Sequence, residues 1–357
     1  MLLALETNTL QLTDAQREDF PLTEIGVVVI GRNEATRLER SLRSVLGNGS
    51  YVVYVDSGST DHSLDIAQAL AVETVALESA RPFTAARARN AGCRYLTSRH
   101  PNLEFIQFVD GDCEIASGWI DAAAKYMASH PEVGVVCGEL TEHDSRRSIY
   151  KRLSAMEWVL PVGETEASGG IAFVRTEAFQ EVNGFDETFI AGEEWDLCFR
   201  VRQKGWRIWR LPEAMAVHNA GLNSLSQWWI RSVRSGHVYA ERAGLYGKQA
   251  ADQRIPQIWS AVFWGLALPL AISALALISL IWLPWTWVGV GALWCTYGIL
   301  LGRVVRYRRQ CGDRFTDALL NALFCVLSKF AQVVGALRYW WSHLRGKQRR
   351  LIEYKSA

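Results

Sequence analysis

Two short acidic motifs contain the side chains of this sequence that are best suited to chemistry. The first is Asp110-Gly111-Asp112, which follows the apolar run Phe105-Ile106-Gln107-Phe108-Val109. Two carboxylates separated by a glycine at the end of a strand can hold a hard divalent cation, whose other ligands are water and diphosphate oxygens. An ordinary acidic turn is the alternative. The motif therefore predicts a Mg²⁺ or Mn²⁺ site at which a diphosphate can bind.

The second motif is Gly192-Glu193-Glu194-Trp195-Asp196, which gathers three carboxylates in a short stretch. A positioned carboxylate can accept a proton from a reacting group, although acidic residues are also common at the start of a solvated helix. Glu193 and Glu194, being adjacent, raise each other's affinity for a proton. Asp196 is expected to cap or anchor the following helix. The three residues are the candidates for catalytic carboxylates.

Polar residues also end two other apolar runs. Asp56 ends the run Tyr51-Val52-Val53-Tyr54-Val55, and the loop Gly31-Arg32-Asn33-Glu34 follows residues 25–30. Asp56 can accept hydrogen bonds from a base or a ribose, although a capped turn between a strand and a helix explains its neighbours equally well. The first strand does not lead into G-x-G-x-x-G, so a nicotinamide dinucleotide site is not indicated.

These polar groups follow runs that are short and rich in β-branched and aromatic residues, as is typical of buried strands. Helical segments separate the runs from one another. This alternation predicts an α/β fold with a mostly parallel sheet flanked by helices. Because the carboxyl ends of parallel strands meet at one edge of a sheet, the polar groups are expected to lie together there.

The composition divides the chain into two parts. It has 357 residues, of which 49% are hydrophobic, and its net charge is +1. After residue 302 there are twelve Lys or Arg against three acidic residues, so the first 302 residues carry a net charge of −8. The positive charge accompanies apolar segments, which argues against nucleic acid and favours anionic lipid as a partner. The seven cysteines include no C-x-x-C pair, so neither a zinc module nor a disulfide framework is indicated.

The uncharged run 255–302 is long enough for two membrane spans joined by a tight turn. Proline ends a helix and tryptophan favours the membrane interface, so the turn is predicted at residues 283–286. A basic stretch begins at Arg303, and the positive-inside rule then places both ends of this hairpin in the cytosol. A third apolar segment, about 318–341, carries polar residues on one stripe. An amphipathic helix in the membrane interface is favoured over a third crossing.

These features predict five regions. Residues 1–24 are an N-terminal extension, which lacks the charged and long apolar parts of a secretory signal. Residues 25–222 form the catalytic domain, residues 223–254 an interfacial connection, and residues 255–302 the membrane hairpin. Residues 303–357 comprise a basic loop, the amphipathic helix and a basic tail. The expected location is the inner (plasma) membrane, with several membrane passes and a cytosolic catalytic domain.

The order of these motifs resembles that of a membrane-attached glycosyltransferase of family 2 with the GT-A fold. The resemblance covers residues 25–222. Besides the two acidic motifs, it depends on Gly31-Arg32-Asn33-Glu34, residues 56–61, Ala88-Arg89-Asn90-Ala91-Gly92, Gly169-Gly170 and Asn183-Gly184-Phe185-Asp186. It implies an inverting transfer of a sugar from a nucleotide-diphosphate donor. The acceptor it implies is a membrane lipid or a lipid-linked glycan, as in glycolipid or exopolysaccharide synthesis.

The resemblance also implies roles for individual residues. The residues implied for the nucleoside pocket are Asn33, Glu34 and Asp56, with Arg89 nearby. Asp110 and Asp112 would hold the ribose and the metal diphosphate. Glu194 falls where the general base of the family usually sits, although the family more commonly has aspartate there. The implied cofactor is Mg²⁺ or Mn²⁺.

Three further residues have open alternatives. His218 lies where some members of the family supply a third metal ligand, but a histidine satisfied at the end of a strand is equally compatible. Arg231 and Arg234 belong to an aromatic and basic stretch that precedes the membrane part. They either contact the leaving diphosphate, or belong to a helix that lies on the membrane interface, or do both.

Two other functions fit parts of the same pattern. A polyprenyl-phosphate sugar synthase also joins this fold to membrane helices, but its phosphate acceptor needs no strong base. The intact acidic cluster therefore favours a hydroxyl acceptor. An inactive membrane scaffold would be expected to have lost the Asp-x-Asp motif or the acidic cluster, and both are present.

Overall fold

The structure, a computed structural model, describes residues 24–47, 50–219, 221–246, 256–281 and 284–345. Within these residues, nine strands form a single sheet. The strands are β1 (Ile25–Gly31), β2 (Tyr51–Asp56), β3 (Glu73–Ala76), β4 (Phe105–Asp110), β5 (Cys113–Ile115), β6 (Val133–Glu142), β7 (Gly163–Glu164), β8 (Ala172–Arg175) and β9 (Arg207–His218). Most of the predicted N-terminal extension and the basic tail after residue 345 lie outside the described residues.

Helices cover both faces of this sheet. They are α1 (Ala35–Val45), α2 (Ser63–Ala69), α3 (Ala85–Arg99), α4 (Trp119–Ser129), α5 (Ile149–Glu157), α6 (Thr176–Glu181) and α7 (Glu193–Gln203). Val27 of β1 belongs to one apolar core with Leu38 of α1, whereas Val28 belongs to another with Leu96 of α3. Since successive side chains of a strand point to opposite faces, β1 must be apolar throughout to be buried on both.

The strand order is β3-β2-β1-β4-β8-β6-β9-β5, with β7 beside β9. β1 pairs in parallel with β2 and β4, and β2 pairs in parallel with β3. β8 is antiparallel to both β4 and β6, and β5 is antiparallel to β9. The α/β prediction is confirmed. The mostly parallel arrangement that was predicted holds for β1 to β4, and the other half of the sheet is mixed.

The antiparallel pairing of β5 with β9 joins distant parts of the chain at the edge of the sheet. Cys113 is in register with His218. Beyond this pair, the amide of Asn219 donates a hydrogen bond to the carbonyl oxygen of Asp112 at 2.9 Å. Asp112, just after β4, therefore lies beside His218 at the end of β9.

A helical part follows the sheet domain. It contains α8 (Leu225–Tyr246), α9 (Pro256–Val262), a π-helical turn (Phe263–Ala267), α10 (Leu268–Ile281), a 3-10 turn (Pro284–Thr286), α11 (Trp287–Gln310) and α12 (Phe315–Leu344). Three stretches, Gln257–Ile281, Trp287–Gln310 and Phe315–Leu344, are long and apolar enough to cross a membrane, judged by length and composition. The 3-10 turn at Pro284–Thr286 lies within residues 283–286, where the turn of the hairpin was predicted. α11 continues through the basic stretch after Arg303, which had been expected to form a loop, because arginine is a good helix former.

α12 packs along α8 with the two backbones in close contact. A Cβ atom at Gly236 of α8 would overlap the carbonyl oxygen of Gln332, and one at Gly335 of α12 would overlap that of Val233. Gly265 of the π-helical turn also lies against the α12 backbone. α12 thus contacts both α8 and the hairpin. Its length would permit a crossing, and the interfacial position expected for it stays a prediction.

Candidate active site

A cleft of about 620 Å³ lies at the carboxyl ends of β1 and β4. It is bordered by the loop after β1, both acidic motifs, the end of β9 and one side of α8. The residues predicted for the site that line this cleft are Asn33, Glu34, Arg89, Asp110, Asp112, Glu193, Glu194, His218, Arg231 and Arg234. The other two predicted residues, Asp56 and Asp196, do not line it.

Arg89 of α3 joins the two acidic motifs. Its side chain is 2% exposed. Its Nη2 atom donates to Oδ1 of Asp110 at 2.8 Å, and its Nη1 atom donates to Oε1 of Glu193 at 2.7 Å. Burial lowers the pKa of Arg89, but the charges of Asp110 and Glu193 outweigh burial, so the pKa is raised. The bridge therefore links one carboxylate of each acidic motif.

Glu193 and Glu194 begin α7 and have different proton affinities. Gly192 precedes them with a φ of 79°, a left-handed conformation that glycine adopts without strain. Burial raises the pKa of Glu193, but the charge of Arg89, a backbone hydrogen bond and the charge of Arg234 together outweigh burial and lower the pKa. Burial, followed by the charge of Glu193, raises the pKa of Glu194 to about 7. Glu194 is therefore the member of the pair that can exchange a proton near neutral pH.

Asp196 does not reach the cleft, and its prediction as a catalytic residue is corrected. It is 1% exposed, and its Oδ2 atom accepts hydrogen bonds from two nitrogens of Arg200, at 2.9 and 2.6 Å. Its Oδ1 atom accepts a hydrogen bond from the hydroxyl group of Tyr246. Because both oxygens are engaged, Asp196 anchors α7 to the end of α8.

Asp56 is enclosed by the loop that follows β2. Its Oδ1 atom accepts a hydrogen bond from the Tyr54 hydroxyl at 2.9 Å. Its Oδ2 atom accepts from the amides of Gly58 and Ser59, at 2.9 and 2.8 Å. The neighbouring Ser57 lines the cleft, whereas Asp56 is 2% exposed and does not. The structure therefore agrees with the capped-turn alternative for Asp56 and does not bring it to the surface of the predicted nucleoside pocket.

Asn33 and Glu34 lie in the cleft wall formed by the loop after β1. Asn33 has a φ of 56°, which asparagine tolerates better than most residues, and its Oδ1 atom accepts a hydrogen bond from the Thr60 amide at 2.7 Å. Glu34 pairs with Arg37 at 2.9 Å. Arg37 also lines the cleft but was not predicted, because its position in an ordinary amphipathic helix carries no local signal.

Asp112 and His218 form a candidate metal site. The Nε2 atom of His218 lies 3.5 Å from Oδ2 of Asp112, and its Nδ1 atom lies 2.8 Å from Oε2 of Glu142. Burial lowers the pKa of His218, but the hydrogen bonding and the charges of Asp112 and Glu142 together outweigh burial and raise the pKa to about 9. A metal-bound histidine commonly donates its second N–H group to a carboxylate, as His218 can to Glu142. The residues therefore fit a Mg²⁺ or Mn²⁺ ion whose coordination diphosphate oxygens complete.

Two neighbours of this site are weaker candidates as ligands. Ligand atoms of Asp112, Cys113 and His218 all lie within 4.8 Å of one another, but Cys113 is 1% exposed and packs in the apolar core. Among the described residues, Asp110 does not belong to this cluster of possible ligands. One oxygen of Asp110 already accepts a hydrogen bond from Arg89. The geometry therefore favours Asp112 and His218 over Asp110 for direct contact with the metal.

Arg231 and Arg234 of α8 line the cleft on the side of the helical part. Arg231 pairs with Glu157 at 2.8 Å, and Arg234 donates to the carbonyl oxygen of Ile190 at 3.2 Å. α8 is therefore a wall of the cleft and also the helix against which α12 packs. A contact of these arginines with the diphosphate and a position of α8 at the membrane interface therefore do not exclude each other.

Glu142, which contacts His218, is another residue that sequence analysis missed. It is the last residue of β6, where it lies in register with His218 of β9. A glutamate at the end of a strand carries no signal of its own, and only the pairing of these two distant strands reveals its contact with His218. Gly170, by contrast, belongs to a motif noted in the sequence. A Cβ atom there would lie 2.9 Å from Oδ2 of Asp110 and 3.0 Å from Nη2 of Arg89, so a side chain at this position would displace one of these two groups.

Comparison with known families covers nearly the whole sheet domain. Residues 26–183 match glycosyl transferase family 2. Residues 150–220 match a family described as the N-terminal domain of galactosyltransferase. The first match contains the Asp-x-Asp motif, and the second contains the acidic cluster and His218.

Two curated relatives match most of this chain. The pre-mycofactocin glycosyltransferase of Mycobacterium tuberculosis (strain H37Rv) is 26% identical over 334 residues, which are 89% of this chain and 65% of the relative. The succinoglycan biosynthesis protein ExoA of Rhizobium meliloti is 25% identical over 355 residues, which are 94% of this chain and 99% of the relative. This chain thus spans less than two thirds of the length of the mycobacterial relative.

A solved structure shares the fold. The mannosyltransferase PcManGT from Pyrobaculum calidifontis, in complex with GDP-Man and Mn²⁺, has a TM-score of 0.59 to this chain at 22% identity. The match covers 89% of this chain and 87% of the mannosyltransferase. The predicted GT-A architecture, a mixed α/β sheet domain followed by C-terminal helices, is thereby confirmed.

Proposed function

We propose that this chain, whose residues 26–183 match glycosyl transferase family 2, transfers a sugar, with inversion, from a nucleotide-diphosphate donor to a hydroxyl group of a membrane lipid or lipid-linked glycan. The observation that carries the proposal is the Arg89 bridge, which holds Asp110 and Glu193 at one cleft. Glu194, next to the bridge, has a pKa of about 7 and lines the same cleft.

The donor would bind between the loop after β1 and the Asp-x-Asp motif. Asn33 and Glu34 would contact the nucleoside, and Asp110, whose side chain is 35% exposed, would accept a hydrogen bond from the ribose. A Mg²⁺ or Mn²⁺ ion bound by Asp112 and His218 would neutralise charge on the diphosphate. The mannosyltransferase of the same fold was solved with GDP-Man and Mn²⁺, which supports this assignment.

Negative charge grows on the diphosphate as its bond to the anomeric carbon breaks. Arg231 and Arg234 line the cleft from α8. A fixed cation accelerates such a step when it stabilises the charge of the transition state more than that of the bound substrate. We assign these two arginines to the leaving diphosphate.

Glu194 would take the proton of the acceptor. In an inverting transfer, the acceptor oxygen forms its bond to the anomeric carbon on the side opposite the diphosphate, whose bond breaks in the same step. A carboxylate with a pKa of about 7 is ionised in a large fraction of molecules at neutral pH and is more basic than an ordinary glutamate. An acceptor that is already a phosphate anion would not need this base. The raised pKa therefore favours a hydroxyl acceptor.

The acceptor is assigned to the membrane because α8 borders both the cleft and the apolar helices. The basic residues after Arg303 favour a cytosolic catalytic domain at the inner membrane. The similarity to the succinoglycan biosynthesis protein over nearly its whole length supports a role in polysaccharide or glycolipid synthesis.

One assay tests the proposal as a whole. The purified full chain is incubated with a panel of nucleotide sugars, Mn²⁺ or Mg²⁺ and a membrane lipid extract, and the product is identified by mass. A lipid-soluble product that carries one added sugar through an oxygen of a hydroxyl group is expected. A product in which the sugar is joined to a polyprenyl phosphate would contradict the hydroxyl acceptor. The absence of any product with every donor would contradict the transferase activity.

A further inference from the structure

An exposed apolar loop follows α5 beside the cleft. Residues 159–162 are Val-Leu-Pro-Val. The side chains of Val159, Leu160 and Val162 are 51%, 49% and 59% exposed. A contiguous group of exposed apolar side chains commonly marks a surface that contacts another apolar body. The loop is therefore a candidate contact surface.

Two contacts fix the residues just before this loop. Arg308, near the end of α11, donates to the carbonyl oxygen of Met156 at 2.9 Å. The ring of Trp158 lies edge-on to that of His218, with 5.9 Å between their centres. The loop thus begins between the end of a candidate membrane span and the candidate metal site.

Basic side chains lie next to the apolar ones. A second cleft, of about 460 Å³, separates α5 from the turn between α11 and α12, and Val159 is part of its lining. Its charged lining residues are Arg146, Arg152, Asp313, Arg314 and Asp317. The two aspartates pair with Arg308 and Arg152. Arg146 and Arg314 are exposed. Exposed arginines beside apolar side chains match an anionic bilayer surface, where phosphate groups lie next to acyl chains.

We propose that residues 159–162 insert into the boundary between the headgroups and the acyl chains of the membrane, beside the active-site cleft. Leu160 and Val162 contact acyl chains, while Arg146 and Arg314 contact anionic headgroups. Lipid is favoured over a partner protein because the loop is continuous with the cytosolic end of the hairpin, through Arg308. The proposal concerns the membrane surface and does not depend on the identity of the sugar or the acceptor.

The test measures the depth of single labelled positions in the full chain. Cys93, Cys113, Cys137 and Cys198 are buried, so Cys295, Cys311 and Cys325 are the cysteines to replace by serine. Leu160→Cys then carries an environment-sensitive fluorophore in vesicles that contain phosphatidylglycerol and lipids brominated at shallow acyl positions. Leu280→Cys, on a hairpin helix and 71% exposed, is the control within the bilayer. Leu46→Cys, 37% exposed and next to α1 in the sheet domain, is the control in water.

The label at position 160 is expected to show blue-shifted emission and quenching several-fold stronger than the label at position 46. Emission and quenching at position 160 equal to those at position 46, while position 280 is quenched, would overturn the proposal. Vesicles without the anionic lipid should show weaker quenching at position 160, since the arginines then lose their headgroup contacts. The same measurement is made in vesicles that contain no brominated lipid. Equal quenching at position 160 in those vesicles would indicate contact with protein and not with lipid, and would also overturn the proposal.

Discussion

The Nη1 atom of Arg89 lies 2.7 Å from Oε1 of Glu193, and this buried ion pair influences the chemistry of the adjacent Glu194. Arg89 keeps Glu193 ionised. The charge of Glu193 then adds to burial in raising the pKa of Glu194 to about 7. One arginine thus gives two neighbouring glutamates different proton affinities, and the proposed base is the one that Arg89 does not bind directly.

Turnover should rise with pH, with a midpoint near 7, and level off above that value. The ionised form of Glu194 is the base, so activity is present above its pKa of about 7 and falls as the pH drops through that value. The dependence of kcat on pH, measured with saturating donor and acceptor, checks this.

The matched variant is Glu193→Gln, which removes the like charge beside Glu194. It should move the midpoint of the pH profile to lower pH, because one of the two causes that raise the pKa of Glu194 is gone. A profile that stays flat through the acidic range in the wild type would rule out a base with this pKa.

Metal binding should depend on a residue that does not itself touch the metal. Glu142→Gln should weaken the apparent affinity for Mn²⁺ about 10- to 100-fold, because Glu142 orients His218 through Nδ1. Glu139→Gln changes an exposed glutamate of the same strand and should leave that affinity unchanged. Titration of donor binding with Mn²⁺ measures both.

Direct loss of a ligand should have a larger effect. Asp112→Asn is expected to abolish metal-dependent turnover with little change in thermal stability, since the amide keeps the size of the side chain but not its charge. Wild-type turnover that persists undiminished in an excess of chelator would contradict the metal site.

The glycine at the crossing of α8 and α12 should be required for stability. In Gly236→Ala, the new methyl group would overlap the carbonyl oxygen of Gln332, a backbone atom that can move only if the two helices separate. The midpoint of thermal unfolding in detergent should fall. Gly298→Ala, on α11, meets no atom within 4 Å and should leave the midpoint unchanged or slightly higher. Equal midpoints for the two variants would show that the helices do not pack this closely.

Local sequence pattern was sufficient to predict the cleft but not its internal contacts. The polar groups after β1 and β4 were expected at one edge of the sheet because both strands are buried and parallel, and they lie there. Arg89 was placed near the nucleoside by resemblance, whereas the structure pairs it with Glu193, 104 residues away. Such an ion pair depends on how α3 and α7 approach each other, which no local spacing encodes.

The same reason explains why Asp56 and Asp196 do not line the cleft. A carboxylate after a strand or at the start of a helix can face a ligand or bind its own backbone and neighbours. For Asp196 the choice depends on Tyr246, which lies 50 residues further along the chain on another helix. Glu142 was missed because β6 and β9 pair only in the folded sheet.

The most direct test of the account is the turnover of Glu194→Gln. Glutamine keeps the size and the hydrogen bonding of the side chain but cannot accept the proton. Turnover should fall by at least about 10²-fold while the affinity for the nucleotide-sugar donor stays nearly unchanged. Asp196→Asn is the matched control, since Asp196 lies outside the cleft. It should retain far more activity in molecules that remain folded. Near-normal turnover in Glu194→Gln would contradict the central claim that this glutamate deprotonates a hydroxyl acceptor.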